Sequence, residues 1–224
     1  MNEEEEKDKN MYYQVKFIII GDSNVGKTNI CYVFLNGEFS NNYETTLGID
    51  YQFQNIKIND LTFRIQLWDT AGSEEFKSIT KGYYSNSTCC ILVYDLTDEK
   101  SFESIKKWIE EVKNYTNKNI ILILVGNKYD LNDKRKITKE QGDALALEYG
   151  MEHIESSAKN GYNIDEIFRV ACQKIYENII QNIYNLDDDT EPCGIKKCYT
   201  EKDLVSNKIF KLQNKNINRQ KKCC

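Results

Sequence analysis

Apolar positions along this chain follow two alternating rhythms. The run Val15-Lys16-Phe17-Ile18-Ile19-Ile20 and the stretches 89–94 and 120–125 are apolar almost throughout and rich in β-branched residues. Such runs predict strands covered on both faces. Segments 51–58 and 61–68 flank Asn59-Asp60, a two-residue link of the kind that joins antiparallel strands. Between the strands, Phe102, Ile105, Trp108, Ile109 and Val112 recur at helical spacing. Further helices are predicted over 27–36, 138–149 and 163–184. This alternation argues for an α/β fold: a doubly wound, mostly parallel sheet with helices on both faces. After Tyr184 the pattern stops. Asp187-Asp188-Asp189 and Pro192 break the last helix, and a Lys- and Asn-rich stretch follows.

Three regions result: an acidic, disordered arm over 1–13, a folded domain over 14–184, and a flexible basic tail over 185–224. The 224 residues suffice for one α/β domain with a tail. A net charge of −5 gives no general basic footprint for nucleic acid. No apolar stretch approaches the roughly 18 residues that span a bilayer. The opening Met1-Asn2-Glu3-Glu4-Glu5-Glu6 lacks the basic start of a signal peptide, and Asn2 is incompatible with N-myristoylation. The cysteines are Cys31, Cys89, Cys90, Cys172, Cys193, Cys198, Cys223 and Cys224, without a CxxC pair, so a zinc site is not expected. The first four sit in apolar contexts, where a free thiol acts as a small hydrophobe in a reducing compartment. The single histidine, His153, reads as structural.

Candidate chemistry begins where the first strand ends. Gly21-Asp22-Ser23-Asn24-Val25-Gly26-Lys27-Thr28 has the spacing of a loop whose backbone N–H groups turn inward on a phosphate, with a helix N-terminus behind them. Lys27 then meets the β- and γ-phosphates and Thr28 places its hydroxyl on Mg²⁺. Alone, the octet also reads as a Gly-containing turn. Asp69-Thr70-Ala71-Gly72 closes the strand ending at Trp68, and ligands of parallel sheets bind at the carboxyl ends of strands. Asp69 is therefore expected to hold Mg²⁺ through a water, and the Gly72 N–H to approach the γ-phosphate.

Asn127-Lys128-Tyr129-Asp130 follows the strand over 120–125. Asp130 is placed to accept from guanine N1–H and N2–H₂, a donor pair that adenine lacks, and a wrong base leaves the carboxylate unpaired. By itself the tetrad is a polar turn; behind a phosphate loop it selects guanine. Glu155-Ser156-Ser157-Ala158-Lys159 supplies a third side, with the Ala158 N–H on guanine O6 and Lys159 along the base.

Over residues 14–184 these motifs resemble a Ras-type small GTPase, and specifically the Rab family. Leu47-Gly48-Ile49-Asp50-Tyr51, Gln66-Leu67-Trp68, Thr80 to Tyr84, Leu92-Val93-Tyr94-Asp95-Leu96-Thr97 and Trp108 carry the Rab resemblance. It implies a P-loop NTPase fold with a six-stranded sheet and five helices, binding GTP or GDP with Mg²⁺, and two segments that order on the γ-phosphate. By resemblance Thr46 binds Mg²⁺ and the γ-phosphate, Phe39 lies against the guanine, and Tyr51, Trp68 and Tyr83 face effectors. The Lys221-Lys222-Cys223-Cys224 tail is similar to a doubly geranylgeranylated Rab tail, and two lipids anchor stably where one does not. The implied partners are an exchange factor, a GTPase-activating protein, a GDP-dissociation inhibitor, an escort protein and effectors. The implied location is the cytoplasmic face of an intracellular membrane, cycling with cytosol, for a monomer in vesicle traffic.

The chain departs from the family in places. Ser73 stands where the family carries the Gln that orients the attacking water, and Ser is too short to reach that position. Slow intrinsic hydrolysis is therefore expected, with Lys27, Thr46, Gly72 and Ser73 as the catalytic set. Asn24 stands where many relatives have Gly, and Tyr83-Tyr84-Ser85-Asn86-Ser87 lacks the usual Arg-Gly-Ala. Two alternatives follow: a GTP-binding recruitment module with negligible hydrolysis, and an ATP-dependent P-loop kinase, which the 127–130 tetrad disfavours.

Overall fold

The computed structural model describes residues 11–40, 49–70, 84–184, 186 and 193–199. In chain order these form β1 (Met11–Ile20), α1 (Lys27–Asn36), β2 (Ile49–Ile58), β3 (Leu61–Thr70), β4 (Cys89–Asp95), α2 (Glu99–Glu103), α3 (Ile105–Tyr115), β5 (Ile121–Asn127), a 3₁₀ turn (Tyr129–Lys134), α4 (Lys139–Tyr149), β6 (Glu152–Glu155), α5 (Ile164–Ile180) and β7 (Ile195–Tyr199). One sheet runs β2-β3-β1-β4-β5-β6, with β7 paired to β1. β2–β3 and β1–β7 are antiparallel; the other pairs are parallel.

Side chains alternate across the sheet, so each strand feeds two cores. Val15, Phe17 and Ile19 of β1 pack with Ile30 and Phe34 of α1 and Phe168 and Ile175 of α5. Ile18 and Ile20 pack on the opposite face with Ile105, Ile109 and Val112 of α3 and Leu145 of α4. The two-faced apolar runs read in the sequence correspond to these layers.

Several boundaries differ from expectation. The helical stripe over 102–112 is two helices meeting at Ser104, whose N–H bonds to Lys100 O, and a separate short helix capped by Asp98 precedes α3. α5 ends at Ile180 instead of 184, because Asn182 turns left-handed (φ 53°) and the Ile183 N–H returns to Asn178 O. The largest difference is at the two margins of the domain. Met11–Tyr13, assigned to the arm, belong to β1, and Ile195–Tyr199, assigned to the flexible tail, form β7.

Both corrections have one cause. β3 pairs β1 along one edge from Tyr12 to Ile19, whereas β4 covers only Phe17–Ile20 of the other. The remaining edge, Met11–Val15, is taken by β7. An open edge of N–H and C=O groups is thereby closed. Gly194 admits the strand: with φ 73° it lies so close to the Asn86 carbonyl that a Cβ would overlap it. Among the described residues the sheet therefore has seven strands, against the six implied by resemblance.

Candidate nucleotide-binding site

β1 delivers the chain to Gly21, and the loop through Gly26 leads into α1. Gly21 (φ 145°) runs against the Val93 carbonyl and Gly26 (φ 97°) against the Asn127 carboxamide; at both places a Cβ would overlap its neighbour. Asn24 also stands in the left-handed region, at φ 64°. Asn is one of the few side chains that tolerate this conformation, so the departure at position 24 keeps the loop's shape. Gly26 caps α1 without a side chain, and no acidic residue occupies the first turn, so the positive end of the helix is offered to the loop. Lys27 is buried, and its Nζ donates to Gly21 O at 3.0 Å and Asp22 O at 2.8 Å. Burial pushes its ammonium down to about 8, against the opposing pull of Asp69 and Asp22. A charge held this reluctantly gains from an arriving polyanion.

The parallel register sets Ile19 of β1 beside Asp69 of β3, which brings the carboxylate to the loop. Thr28 Oγ1 donates to Asp69 Oδ2 at 2.6 Å. A hydroxyl and a carboxylate, converging at a strand end next to a phosphate-type loop, are the hard oxygen donors that suit Mg²⁺. Thr46, Gly72 and Ser73 lie outside the described residues.

The base side is built on Asn127, the last residue of β5 and almost fully buried. Its Nδ2 donates to Val25 O at 2.8 Å and its Oδ1 accepts from the Ala158 N–H at 3.2 Å. One side chain thus ties the phosphate loop to the 155–159 segment. Lys128 adopts φ 69°, and its ammonium pairs with Asp95 at 2.7 Å. Ser157 Oγ donates to Asp130 Oδ1 at 2.6 Å, and Lys159 Nζ lies 3.8 Å from Asp130 Oδ2. Because the Ala158 N–H already serves Asn127, a contact with guanine O6 requires a bifurcated bond. Phe39 is half-buried and packs against the core on the α1–α5 face.

Further residues at the site were read in the sequence only as packing or family markers, or, like Arg135, not at all. The Trp108 indole N–H of α3 donates to Asp22 Oδ1 at 2.8 Å, holding the start of the loop from the opposite layer. Its place in an apolar stripe reads as core, and only the polar tip of the indole hinted otherwise. Asp95, the ion-pair partner of Lys128, closes β4, and Asp69 stands one residue before the end of β3. Arg135 clasps Glu155 with bonds of 2.6 and 3.0 Å, which raise the guanidinium further above its ordinary value.

Of the residues expected to face effectors, Tyr51 and Trp68 stand opposite each other on the β2–β3 ladder, with rings stacked at 5.1 Å. Tyr51 is half exposed, and the Lys16 ammonium lies 4.6 Å from the Trp68 ring centroid. Tyr83, Cys223 and Cys224 lie outside the described residues. His153 is buried between Tyr94 Oη at 2.9 Å and Asp143 Oδ1 at 2.8 Å, away from the loop, in keeping with a structural role. Burial pushes the Cys89, Cys90 and Cys172 thiols up, as small core groups. No helix among the described residues is long and apolar enough to cross a membrane.

Comparison with known proteins agrees with this geometry. A family model described as "Ras family" matches residues 16–177. The chain is 41% identical over 163 residues to Ras-related protein Rab-8B of Homo sapiens, a match covering 73% of this chain and 79% of the relative. It is 46% identical over 160 residues to Ras-related protein Rab-13 of Bos taurus, covering 71% and 79%. The Rab-13 of Mesocricetus auratus is 44% identical over the same length.

Proposed function

The chain belongs to the Ras family of small GTPases, within its Rab branch, as a guanine-nucleotide switch of vesicle traffic that hydrolyses GTP to GDP and phosphate; from that premise we propose how its own residues divide the work. The Gly21–Thr28 backbone and the α1 N-terminus hold the phosphates, and Lys27 places its charge on the β- and γ-oxygens. Asp22, Ser23, Asn24, Val25 and Gly26 shape that cradle. Thr28, Thr46 and, through a water, Asp69 hold Mg²⁺, which when bound offsets the charge shared by the β- and γ-phosphates. Asp130 selects guanine, Asn127 and Lys128 fix its loop, Ser157 orients the carboxylate, and Ala158, Lys159 and Phe39 line the base. Thr46 and Gly72 sense the γ-phosphate.

The observation that carries this reading is Asn127, which joins the phosphate loop at Val25 to the base side at Ala158. Nucleotide bound across that tie touches both halves of the site at once.

Ser73, too short to orient the attacking water, sets a low intrinsic rate, and the chain depends on a GTPase-activating protein for timely hydrolysis. Single-turnover phosphate release tests this: Ser73→Gln accelerates the unassisted reaction, and an unchanged rate removes the assigned role. Tyr51, Trp68 and Tyr83 face effectors; an exchange factor, a GDP-dissociation inhibitor and an escort protein complete the cycle. Cys223 and Cys224 carry lipid, aided by the lysines of the tail at about 1 kcal/mol per basic residue near an anionic surface. The protein then works as a monomer at the cytoplasmic face of an intracellular membrane and exchanges with cytosol. Imaging of the full chain beside Cys223→Ser/Cys224→Ser decides the anchor: the variant becomes diffuse, whereas identical membrane distributions refute it.

A further inference from the structure

The two segments that form the base pocket are also joined by a pair of aromatic side chains. Tyr129 sits inside the base-reading tetrad, between Lys128 and Asp130. Tyr162 closes the turn that follows Lys159. Their rings stack with centroids 4.9 Å apart and planes 26° from parallel. The guanidinium of Arg135 lies 5.5 Å from the Tyr129 centroid, while its other contacts hold Glu155 at the start of the second segment. Backbone bonds set the two rings in place: the Tyr129 N–H donates to Ser156 O at 2.9 Å and the Ser157 N–H to Tyr162 O at 3.0 Å. Asn160 Oδ1 accepts the Tyr162 N–H at 3.1 Å and fixes the turn.

Neither ring is a core residue. Tyr129 is 37% exposed and Tyr162 45%, so apolar burial in the domain interior does not explain the pair. The stack spans the two segments. Between the same two segments runs the 2.6 Å bond from Ser157 to Asp130, the carboxylate assigned to the guanine edge. Next to it, Lys128 is held at φ 69°, a conformation a lysine adopts only under constraint.

We propose that Tyr129 and Tyr162 are positioning residues that latch the two base-reading segments together, hold Asp130 in register, and thereby slow nucleotide release. This rests on the guanine site described above. Opening the pocket on the base side requires the rings to part, so their attraction adds to the barrier for release. It adds nothing specific on the phosphate side, so GDP and GTP are affected alike.

The test is release of ribose-labelled fluorescent GDP from the full chain, chased with excess unlabelled nucleotide in Mg²⁺ buffer. Tyr162→Ala and Tyr129→Ala each accelerate release by about three- to tenfold, the worth of one aromatic pair beyond its area. Tyr162→Phe keeps the ring and retains the wild-type rate. The double alanine variant matches Tyr129→Ala, because that change already removes the stack along with the Arg135 contact. Inosine diphosphate lacks the 2-amino group and offers Asp130 one N–H in place of two. A loosened Asp130 therefore narrows the difference between labelled GDP and labelled IDP release in the alanine variants. A contact that only stabilised the fold would lower the melting temperature and leave that difference intact. Unchanged release in Tyr162→Ala, an unaltered GDP-to-IDP ratio, or multiplicative effects in the double variant each overturn the latch. A wild-type chain that retains no labelled GDP overturns the site reading itself, a separate outcome.

Discussion

Replacing Asn127 with Ala removes the side chain that ties the phosphate loop to the 155–159 segment. Two hydrogen bonds disappear, to Val25 O at 2.8 Å and from the Ala158 N–H at 3.2 Å. Both partners are buried, with Val25 2% and Ala158 4% exposed, so the Val25 carbonyl is left without a ready replacement and the Ala158 N–H keeps only guanine O6. An orphaned buried donor or acceptor costs about 1–3 kcal/mol, and a water entering the vacated volume recovers part of that. The net loss is then about 2–4 kcal/mol, divided between fold stability and nucleotide affinity. Where all of it falls on the bound state, GDP release accelerates by about 30- to 800-fold, since 1.4 kcal/mol is a factor of ten. The assay pairs stopped-flow release of labelled GDP with urea unfolding of the nucleotide-free chain, which apportions the loss. Release indistinguishable from wild type in a variant of wild-type stability would show that Asn127 does not tie the two halves together.

Three further outcomes follow from particular contacts. Lys27 binds its proton more weakly in the folded chain than in the unfolded one, about 8 against an ordinary 10.5, so it opposes folding fully below pH 8 and progressively less as pH rises toward 10.5. Bound phosphates hold the ammonium charged, so above pH 8 binding takes up a proton and affinity falls by up to about tenfold per pH unit; calorimetry in buffers of different ionisation enthalpy at pH 7 and pH 9 measures that uptake. Trp108→Phe keeps the packing of α3 but loses the bond to Asp22, a charge-assisted contact worth about 1.5–3 kcal/mol, and is expected to speed GDP release and to lower the unfolding midpoint. Gly194→Val introduces a side chain against the Asn86 carbonyl at a left-handed position, so β7 leaves β1, and hydrogen exchange rises toward that of an open edge for those Met11–Val15 amides that face β7, while those bonded to β3 stay protected.

The parts of the molecule legible in the sequence are those governed by local physics. α1 occupies the span 27–36 read from the loop and the apolar positions behind it, and the strands closing in Thr70, Asp95 and Asn127 lie at or within a few residues of the apolar runs. The Gly21 and Gly26 positions were readable because only a residue without Cβ fits there, and the structure supplies the reason in Val93 and Asn127. β7 was not readable. Ile195-Lys196-Lys197-Cys198-Tyr199 has no strict alternation, and its strand character comes from the vacant half-edge of β1, a property of distant residues. The links that organise the site were hidden for the same reason: Asn127 and Val25 are 102 residues apart, Trp108 and Asp22 are 86 apart, and neither pair leaves a local pattern. Tyr129 lies inside a tetrad whose chemistry is carried by Asp130 and Tyr162 lies beyond the 155–159 segment, so their stack leaves no local pattern either.

The central claim is that one site holds the phosphates in the Gly21–Thr28 loop and reads guanine through Asp130. Competition for labelled GDP by unlabelled GDP, ADP and inosine diphosphate, on the full chain with Mg²⁺, addresses it directly. The account predicts stoichiometric displacement by GDP, weaker displacement by inosine diphosphate, and none by ADP at matched concentration. Equal displacement by ADP, or binding of GDP that survives Asp130→Ala unchanged, would contradict it.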